Sequence, residues 1–431
     1  ATRGEARALT KFPEGTISTF KWSPDGKRLA VSFRATDPEW TEVAKKKREE
    51  TGGSTPARVI DHLWYRLDGD GYFGGQRFAL YVVDAESGEY EQIFAKDTLG
   101  DFTFDFSPDG ERLAITANTD PRALQKPWKD QIYLYSIKRR SLKTVPDLAD
   151  GPKNSVRWSP DGKWLAFAGR QDRADDLYST ENLRLFICDP ETGETRDLTG
   201  HTDYCMMAVT LSDTAEAKFG PTFAWRADSK HLVARIGWHG EGHIVSIPIK
   251  PKSEITFLTK GAYEYGLGSL SEDGRKIALL RSQSTVLPEV VVGEFSKQGM
   301  SVRALTSFNR ALLKELDIAE PEMHWVPSTD GAKVQVWVMK PPASTKAAKK
   351  KLPAALEIHG GPHGQYGVPF FHEFQVLASA GYAVVYSNPR GSKGYGRDFC
   401  HAIRGAWGTK DWEDIQAVTA WMKKQSWVNP K

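Results

Sequence analysis

The residues His359-Gly360-Gly361-Pro362 end an apolar run, Ala354-Ala355-Leu356-Glu357-Ile358, and their types point to one kind of chemistry. Acyl transfer builds negative charge on a carbonyl oxygen in its transition state. A fixed backbone N–H stabilises that charge when no side chain stands in the way, which is what successive glycines allow. The sequence therefore offers the first half of an oxyanion hole, with the Gly361 N–H as the donor and His359 and Gly360 shaping the turn. A tight strand-to-helix turn is the better account of an isolated Gly-Gly-Pro. The preceding histidine, the position at a strand end and a later glycine-rich segment, Asn388-Pro389-Arg390-Gly391-Ser392-Lys393-Gly394-Tyr395-Gly396, favour the chemical reading.

Other chemistry-bearing groups reduce to structure. His239-Gly240-Glu241-Gly242-His243 carries two histidines four apart, but its glycines argue against the helix that would aim both at one zinc ion; a loop or strand end is expected. Asp68-Gly69-Asp70-Gly71 looks like the opening of a calcium loop without the third oxygen ligand or the distant glutamate. No metal and no cofactor is expected. The tryptophans, Trp22 and Trp158 at equivalent repeat positions among them, read as core and not as stacking platforms for bases.

The elements that must position the His-Gly-Gly-Pro turn alternate between strand and helix. Val334 to Met339 alternates as a strand, Ala354 to Ile358 reads as a buried strand, Phe371 to Ala380 as an amphipathic helix and Tyr382 to Tyr386 as the next buried strand. Ile415, Val418, Trp421 and Met422 recur at helical spacing between Asp411 and Lys424. Such alternation implies an α/β sheet. The lysine-rich stretch from Lys346 to Lys351 reads as a solvated connection.

Before residue 320 the sequence repeats itself. Trp22-Ser23-Pro24-Asp25-Gly26 returns as Phe106-Ser107-Pro108-Asp109-Gly110 and Trp158-Ser159-Pro160-Asp161-Gly162, and more weakly as Trp225-Arg226-Ala227-Asp228-Ser229 and Leu270-Ser271-Glu272-Asp273-Gly274. In each copy an aromatic or apolar residue ends a strand, the next four residues make a turn, and an alternating apolar segment follows, which is a β-hairpin. Offset elements such as Leu80 to Asp84 and Leu185 to Asp189 add a second pair of strands. Four short strands in roughly 45 to 65 residues is the content of one propeller blade. The polar stretch from Asp37 to Thr55 lengthens the first interval as a solvated insertion or helical loop. Arg7-Ala8-Leu9-Thr10, Arg196-Asp197-Leu198-Thr199, Thr256-Phe257-Leu258-Thr259 and Arg303-Ala304-Leu305-Thr306 read as outer strands closing blades. The first of these implies a blade begun upstream of Ala1. The expectation is about seven blades in the intact protein, a further sheet being hidden in the long first interval or between Val286 and Leu305.

Composition narrows the partners. Among 431 residues, 58 Lys and Arg face 55 Asp and Glu, a formal charge of +3, so no dominant basic field draws the protein to nucleic acid or an anionic membrane. No run approaches the roughly 18 apolar residues of a membrane span. Cys188, Cys205 and Cys400, an odd and scattered set, fit a reducing, cytoplasmic setting better than a disulfide framework. The sequence starts at Ala1 and not at methionine, so any targeting segment upstream lies outside it.

The repeated Ser-Pro-Asp-Gly turns, His359-Gly360-Gly361-Pro362 and the loop from Asn388 to Gly396, in this order, resemble the prolyl oligopeptidase family of serine peptidases. The segment Tyr65-Arg66-Leu67-Asp68-Gly69-Asp70-Gly71-Tyr72 favours its acylaminoacyl-peptidase branch. The resemblance covers nearly the whole chain and implies a mainly β protein. Residues 1–320 would form a β-propeller with an incomplete first blade, and residues 321–431 the N-terminal part of an α/β-hydrolase catalytic domain, the propeller limiting access to short peptides. On this reading Arg390 contacts substrate or braces its own loop, and Arg66 and Tyr72 either face the cavity and bind a substrate terminus or serve the structure. Tyr395 reads as packing. An α/β hydrolase needs a Gly-x-Ser-x-Gly elbow followed by an acid and a histidine. No serine here has glycine two residues before and two after: Ser54 has Gly52 behind it but Pro56 ahead, and Ser392 has Arg390 behind it. The expected partner is therefore the remaining C-terminal catalytic segment, as a separate or nicked chain, and a homo-oligomer is compatible with this reading. A non-enzymatic propeller scaffold is the alternative, and it gives no reason for the two glycine-rich turns.

Overall fold

The computed structural model describes residues 8–172, 180–214, 220–296, 299–345 and 351–429. Contacts divide the chain into two compact units, residues 1–177 with 187–195 and residues 178–186 with 196–431. Both are built mainly of antiparallel strands.

Each of the five repeated turns joins two antiparallel strands. In the first unit they link Gly15–Trp22 to Arg28–Ala35, Thr103–Phe106 to Arg112–Ala117, and Lys153–Trp158 to Leu165–Gly169. In the second they link Phe223–Trp225 to His231–Trp238 and Glu264–Leu270 to Lys276–Gln283. The register is the same every time: Trp22 faces Leu29, Phe106 faces Leu113, Trp158 faces Leu165, Trp225 faces Leu232 and Leu270 faces Ile277.

The turn chemistry explains that constancy. In the second copy the Arg112 N–H donates to Ser107 Oγ at 2.9 Å, the Glu111 N–H to Asp109 at 3.0 Å and the Gly110 N–H to Ser107 O at 2.8 Å. The glycine takes φ +69°, +70°, +69° and +65° at Gly26, Gly110, Gly162 and Gly274, a region that a side chain disfavours. The weaker fourth copy keeps the same geometry with Ser229 at φ +52°.

The first two hairpins extend through Ala79–Asp84 and Tyr90–Phe94, and through Gln131–Ser136 and Ser141–Thr144, into four-stranded antiparallel sheets. The last two extend through Glu241–Pro248 and Thr256–Phe257, and through Val286–Ser296 and Gly299–Ala304, and share one parallel bridge between Gly242 and Glu264. The span from Val286 to Leu305 thus completes the fifth repeat and, among the described residues, hides no further sheet. The long first interval holds an α-helix, Glu42–Thr51, with no buried residue, and a short hairpin of Arg66–Leu67 with Gly71–Tyr72. Of the expected blade-closing segments, Thr256–Phe257 and Gly299–Ala304 are terminal strands of their sheets, whereas Ala8 to Thr10 form no strand and Arg7 lies outside the described residues.

One packing expectation is corrected. Trp158 and Trp225 are 5% and 7% exposed, but Trp22 is 54% exposed. It ends a strand that is exposed almost throughout, whereas Trp158 has the Arg112 guanidinium 4.6 Å from its ring.

In the second unit the strands Pro321–Pro327, Lys333–Met339, Ala383–Asn388 and Ala354–Ile358 form one sheet in that order, antiparallel except for the last, parallel pair. Strand alternation sends Trp337, Met339, Val384 and Tyr386 to one face, where Phe374 and Ala378 of the helix His372–Ser379 pack, and Val334, Val336, Val338 and Val385 to the other, where Val418 and Met422 of the helix Lys410–Lys423 pack. The Ala354–Ile358 strand is not buried as expected. It is the edge strand of the described sheet, half-buried along its length, with Ile358 53% exposed. The lysine-rich stretch falls at 346–350 outside the described residues. The change of character at residue 320 is not where contacts divide the chain, since the sheets on both sides of it lie in the second unit.

Candidate active site

The His-Gly-Gly-Pro turn leaves the edge strand directly after Ile358, whose partner Ser387 is the last of the parallel ladder. Gly361 has φ +128°, and a Cβ there would meet Gly364 N at 3.1 Å and His363 N at 3.2 Å. Both glycines are exposed, and among the described residues the Gly361 N–H donates no hydrogen bond. Half-buried His359 has Nδ1 2.9 Å from Gly360 O and Nε2 3.1 Å from Ser392 Oγ, and its ring stands edge-on to Tyr366. Burial pushes the imidazole below its ordinary pKa.

The histidine–serine contact is not a nucleophile pair. Ser392 is 0% exposed and its hydroxyl lies 2.7 Å from Pro389 O, so no substrate reaches it. It ties the turn to the glycine-rich loop, which is itself held from within. Asn388 accepts from the Tyr366 N–H at 2.7 Å and donates to Tyr366 O at 2.8 Å, pairing with that residue as a strand would. Tyr395 packs as expected, its hydroxyl accepting from Asn388 and donating to Gln335.

Arg390 takes the bracing role of the two that the sequence left open. Its guanidinium grips Asp414 with Nε at 3.0 Å and Nη2 at 2.7 Å and reaches Asp330 with Nη1, while its own N–H donates to Asp414 at 2.8 Å. Hydrogen bonds to Asp414, then Asp330, raise its pKa, and the bond from Arg390 holds the Asp330 carboxyl down at about 2. A guanidinium so committed has little left for a substrate carboxylate. Sequence reasoning missed Asp414 and Asp330. The available signal was Asp414 itself, a carboxylate four residues before Val418 on the apolar face of its helix.

A cavity of about 450 Å³ opens beside the turn, lined by Ile358, His359, Pro362, Arg390, Asp411 and Trp412 among others. The remaining candidates stand elsewhere. Arg66 and Tyr72 lie in the first unit, both exposed, the guanidinium 5.2 Å from the Tyr72 ring and 3.9 Å from Asp68. Asp70 is taken by Arg34 at 2.6 Å and 2.9 Å. His239 and Gly240 form the tip of a hairpin and His243 pairs with Glu241 at 2.8 Å, the strand-end arrangement expected for that segment.

Comparison with known proteins follows the same outline. Residues 368–431 match the prolyl oligopeptidase family. A Bacillus subtilis relative described as the uncharacterized peptidase YuxL is 32% identical over 440 residues, covering 99% of this chain and 63% of its own length. Dipeptidyl-peptidase 5 of Porphyromonas gingivalis is 27% identical over 351 residues, 80% of this chain and 48% of that protein. Among solved structures, the Pyrococcus horikoshii acylaminoacyl peptidase aligns with a TM-score of 0.70 at 21% identity, covering 96% of this chain and 57% of its own. The fold is thus that of a mainly β protein carrying a mixed α/β sheet. The chain carries the prolyl oligopeptidase family match over residues 368–431 and spans less than two thirds of the length of these relatives. No helix among the described residues is long and apolar enough to cross a membrane.

Proposed function

We propose that this chain is part of a serine peptidase that hydrolyses short peptides in the manner of acylaminoacyl or dipeptidyl peptidases. Residues 1–320 act as a propeller that gates access, and residues 321–431 as the first part of the α/β-hydrolase domain. The Gly361 N–H serves as an oxyanion contact, and the nucleophilic serine with its acid and histidine belongs to polypeptide outside this sequence. The observation that carries this reading is the Gly361 amide, which projects from the end of a sheet strand with no partner among the described residues. The names of the relatives and the family match over 368–431 support the reaction class.

In the intact enzyme, Gly361→Ala is expected to lower kcat about a hundredfold, the scale for loss of one oxyanion donor, because a side chain at φ +128° displaces the amide. Steady-state hydrolysis of a chromogenic acylated or dipeptidyl substrate measures it. A fluorophosphonate probe should label the intact enzyme but not this chain by itself. Stable labelling of this chain alone overturns the assignment of the nucleophile.

A further inference from the structure

The segment that carries Gly361 is fixed in different ways on its two sides. Before it, Ile358 closes the parallel ladder against Ser387. After it, Gln365, 0% exposed, donates its N–H to Val209 O at 3.0 Å and accepts from the Leu211 N–H at 2.8 Å. Between these points Gly360 and Gly361 are both exposed, and a Cβ on Gly360 would meet no atom within 4 Å, so packing does not hold the peptide that joins them.

His363, just beyond Pro362, places an anchor inside that span. Its Nδ1 lies 2.8 Å from Gly391 O, a carbonyl oxygen that can only accept, so Nδ1 carries a hydrogen and donates it. The bond asks no second proton of the ring. The Cys400 thiol approaches the same oxygen at 3.4 Å with a hydrogen of its own, burial having pushed its pKa up to about 11. A carbonyl oxygen has two lone pairs and accommodates both donors. The Lys393 N–H reaches His363 O at 3.4 Å, a further link from the same loop. That loop is a firm support. The Gly391 N–H meets Phe399 O at 3.0 Å, a Cβ on Gly391 would run into the Ile403 side chain at 2.4 Å, and the preceding Arg390 is held by buried Asp414.

The anchor is near the donor both along the chain and in space. Pro362, whose ring fixes its own φ, is the single residue between them. A Cβ on Gly361 would meet His363 N at 3.2 Å, so the glycine lies directly against the backbone that the histidine ties down. Without the imidazole bond the fixed points retreat toward Ile358 and Gln365, and two glycines are free to turn the amide between them.

We propose that His363 is a positioning residue: its bond to Gly391 O fixes the direction in which the Gly361 N–H meets the reacting carbonyl oxygen. This rests on the reading of Gly361 as an oxyanion donor. It requires no contact between His363 and substrate.

The test compares His363→Phe, His363→Asn, His363→Gln, Gly361→Ala and the Gly361→Ala/His363→Phe double variant in the intact enzyme, each with its melting temperature. Phenylalanine keeps the ring and loses the donor, and should lower kcat about tenfold with KM within about twofold. Asparagine loses the ring but returns an N–H near the Nδ1 position, and should keep more activity than phenylalanine. A role in packing alone gives the reverse order. Affinity for a peptide aldehyde should fall in step with kcat/KM. The double variant should be no slower than Gly361→Ala, because the donor that His363 positions is already displaced. Unchanged kcat in His363→Phe, an asparagine variant no better than phenylalanine, or single losses that multiply in the double variant overturns the proposal, while a Gly361→Ala defect leaves the oxyanion reading standing. Unchanged kcat in Gly361→Ala overturns both. Should His363→Phe fail to fold, His363→Asn against His363→Gln decides, since glutamine places its N–H near Nε2 instead; equal or reversed activities then overturn the proposal.

Discussion

The turn at Ser107 and the turn at His359 both reverse direction at a strand end with the help of a glycine, and they treat their amide groups in opposite ways. At Ser107 the donors are closed on the turn itself: the Ser107 N–H meets Arg112 O, the Arg112 N–H meets Ser107 Oγ and the Glu111 N–H meets Asp109. At His359 the Gly361 N–H has no partner among the described residues, and the restraints come from outside, through Ser392 and the loop that Arg390 anchors. A turn that only shapes the chain satisfies itself. On the proposed reading, the turn at His359 leaves its donor open for another molecule and borrows its rigidity from its neighbours.

The largest effect should come from removing the outside brace. Arg390→Met leaves Asp414, 0% exposed, without its countercharge, and should destabilise the second unit by about 3–5 kcal/mol in urea unfolding. An unchanged midpoint would show that the loop stands unaided and would erase the contrast. Within the self-satisfied turn, Ser107→Ala removes both the acceptor for the Arg112 N–H and the donor to Asp109, and should cost about 1–2 kcal/mol without altering kcat.

The same serine controls a pH effect. The Ser107 hydroxyl, followed by the Glu111 N–H, holds the Asp109 carboxyl below its ordinary pKa. The folded value being depressed, this stabilisation is present above the unfolded pKa of about 4 and is lost as pH falls through the folded value. Acid titration of stability should therefore be shallower below about pH 4 in Ser107→Ala than in the parent. The smallest change tests the backbone alone: Ser229→Gly, at φ +52°, should raise stability by up to about 1 kcal/mol, since the other copies place glycine there. A loss of stability would mean that the fourth turn does not share the geometry of the rest.

Much of the fold was legible because its signals are local. Ser, Pro, Asp and Gly at fixed offsets dictate a turn whatever surrounds them, so the five hairpins and their common register followed from spacing. The strand and helix alternation after residue 320 was equally readable from apolar periodicity. Burial was less so. Trp22 and Trp158 occupy the same place in the repeat, yet 54% against 5% exposure depends on what covers each strand, and a strand cannot report its cover. Ile358 misled in the same way, because a continuous apolar run looks alike at the centre of a sheet and at its edge.

The amino-acid order by itself determined the turn types, the positive-φ glycines and the presence of a backbone donor at Gly361, since these depend on covalent structure and sterics within a few residues. Only the tertiary structure decided that Arg390 spends its charge on Asp414 and Asp330 and that Ser392 supports His359. These pairs lie 24, 60 and 33 residues apart in the chain. Contacts of that separation follow from how sheets and helices pack, because the short-range forces that make a turn carry no information across such distances.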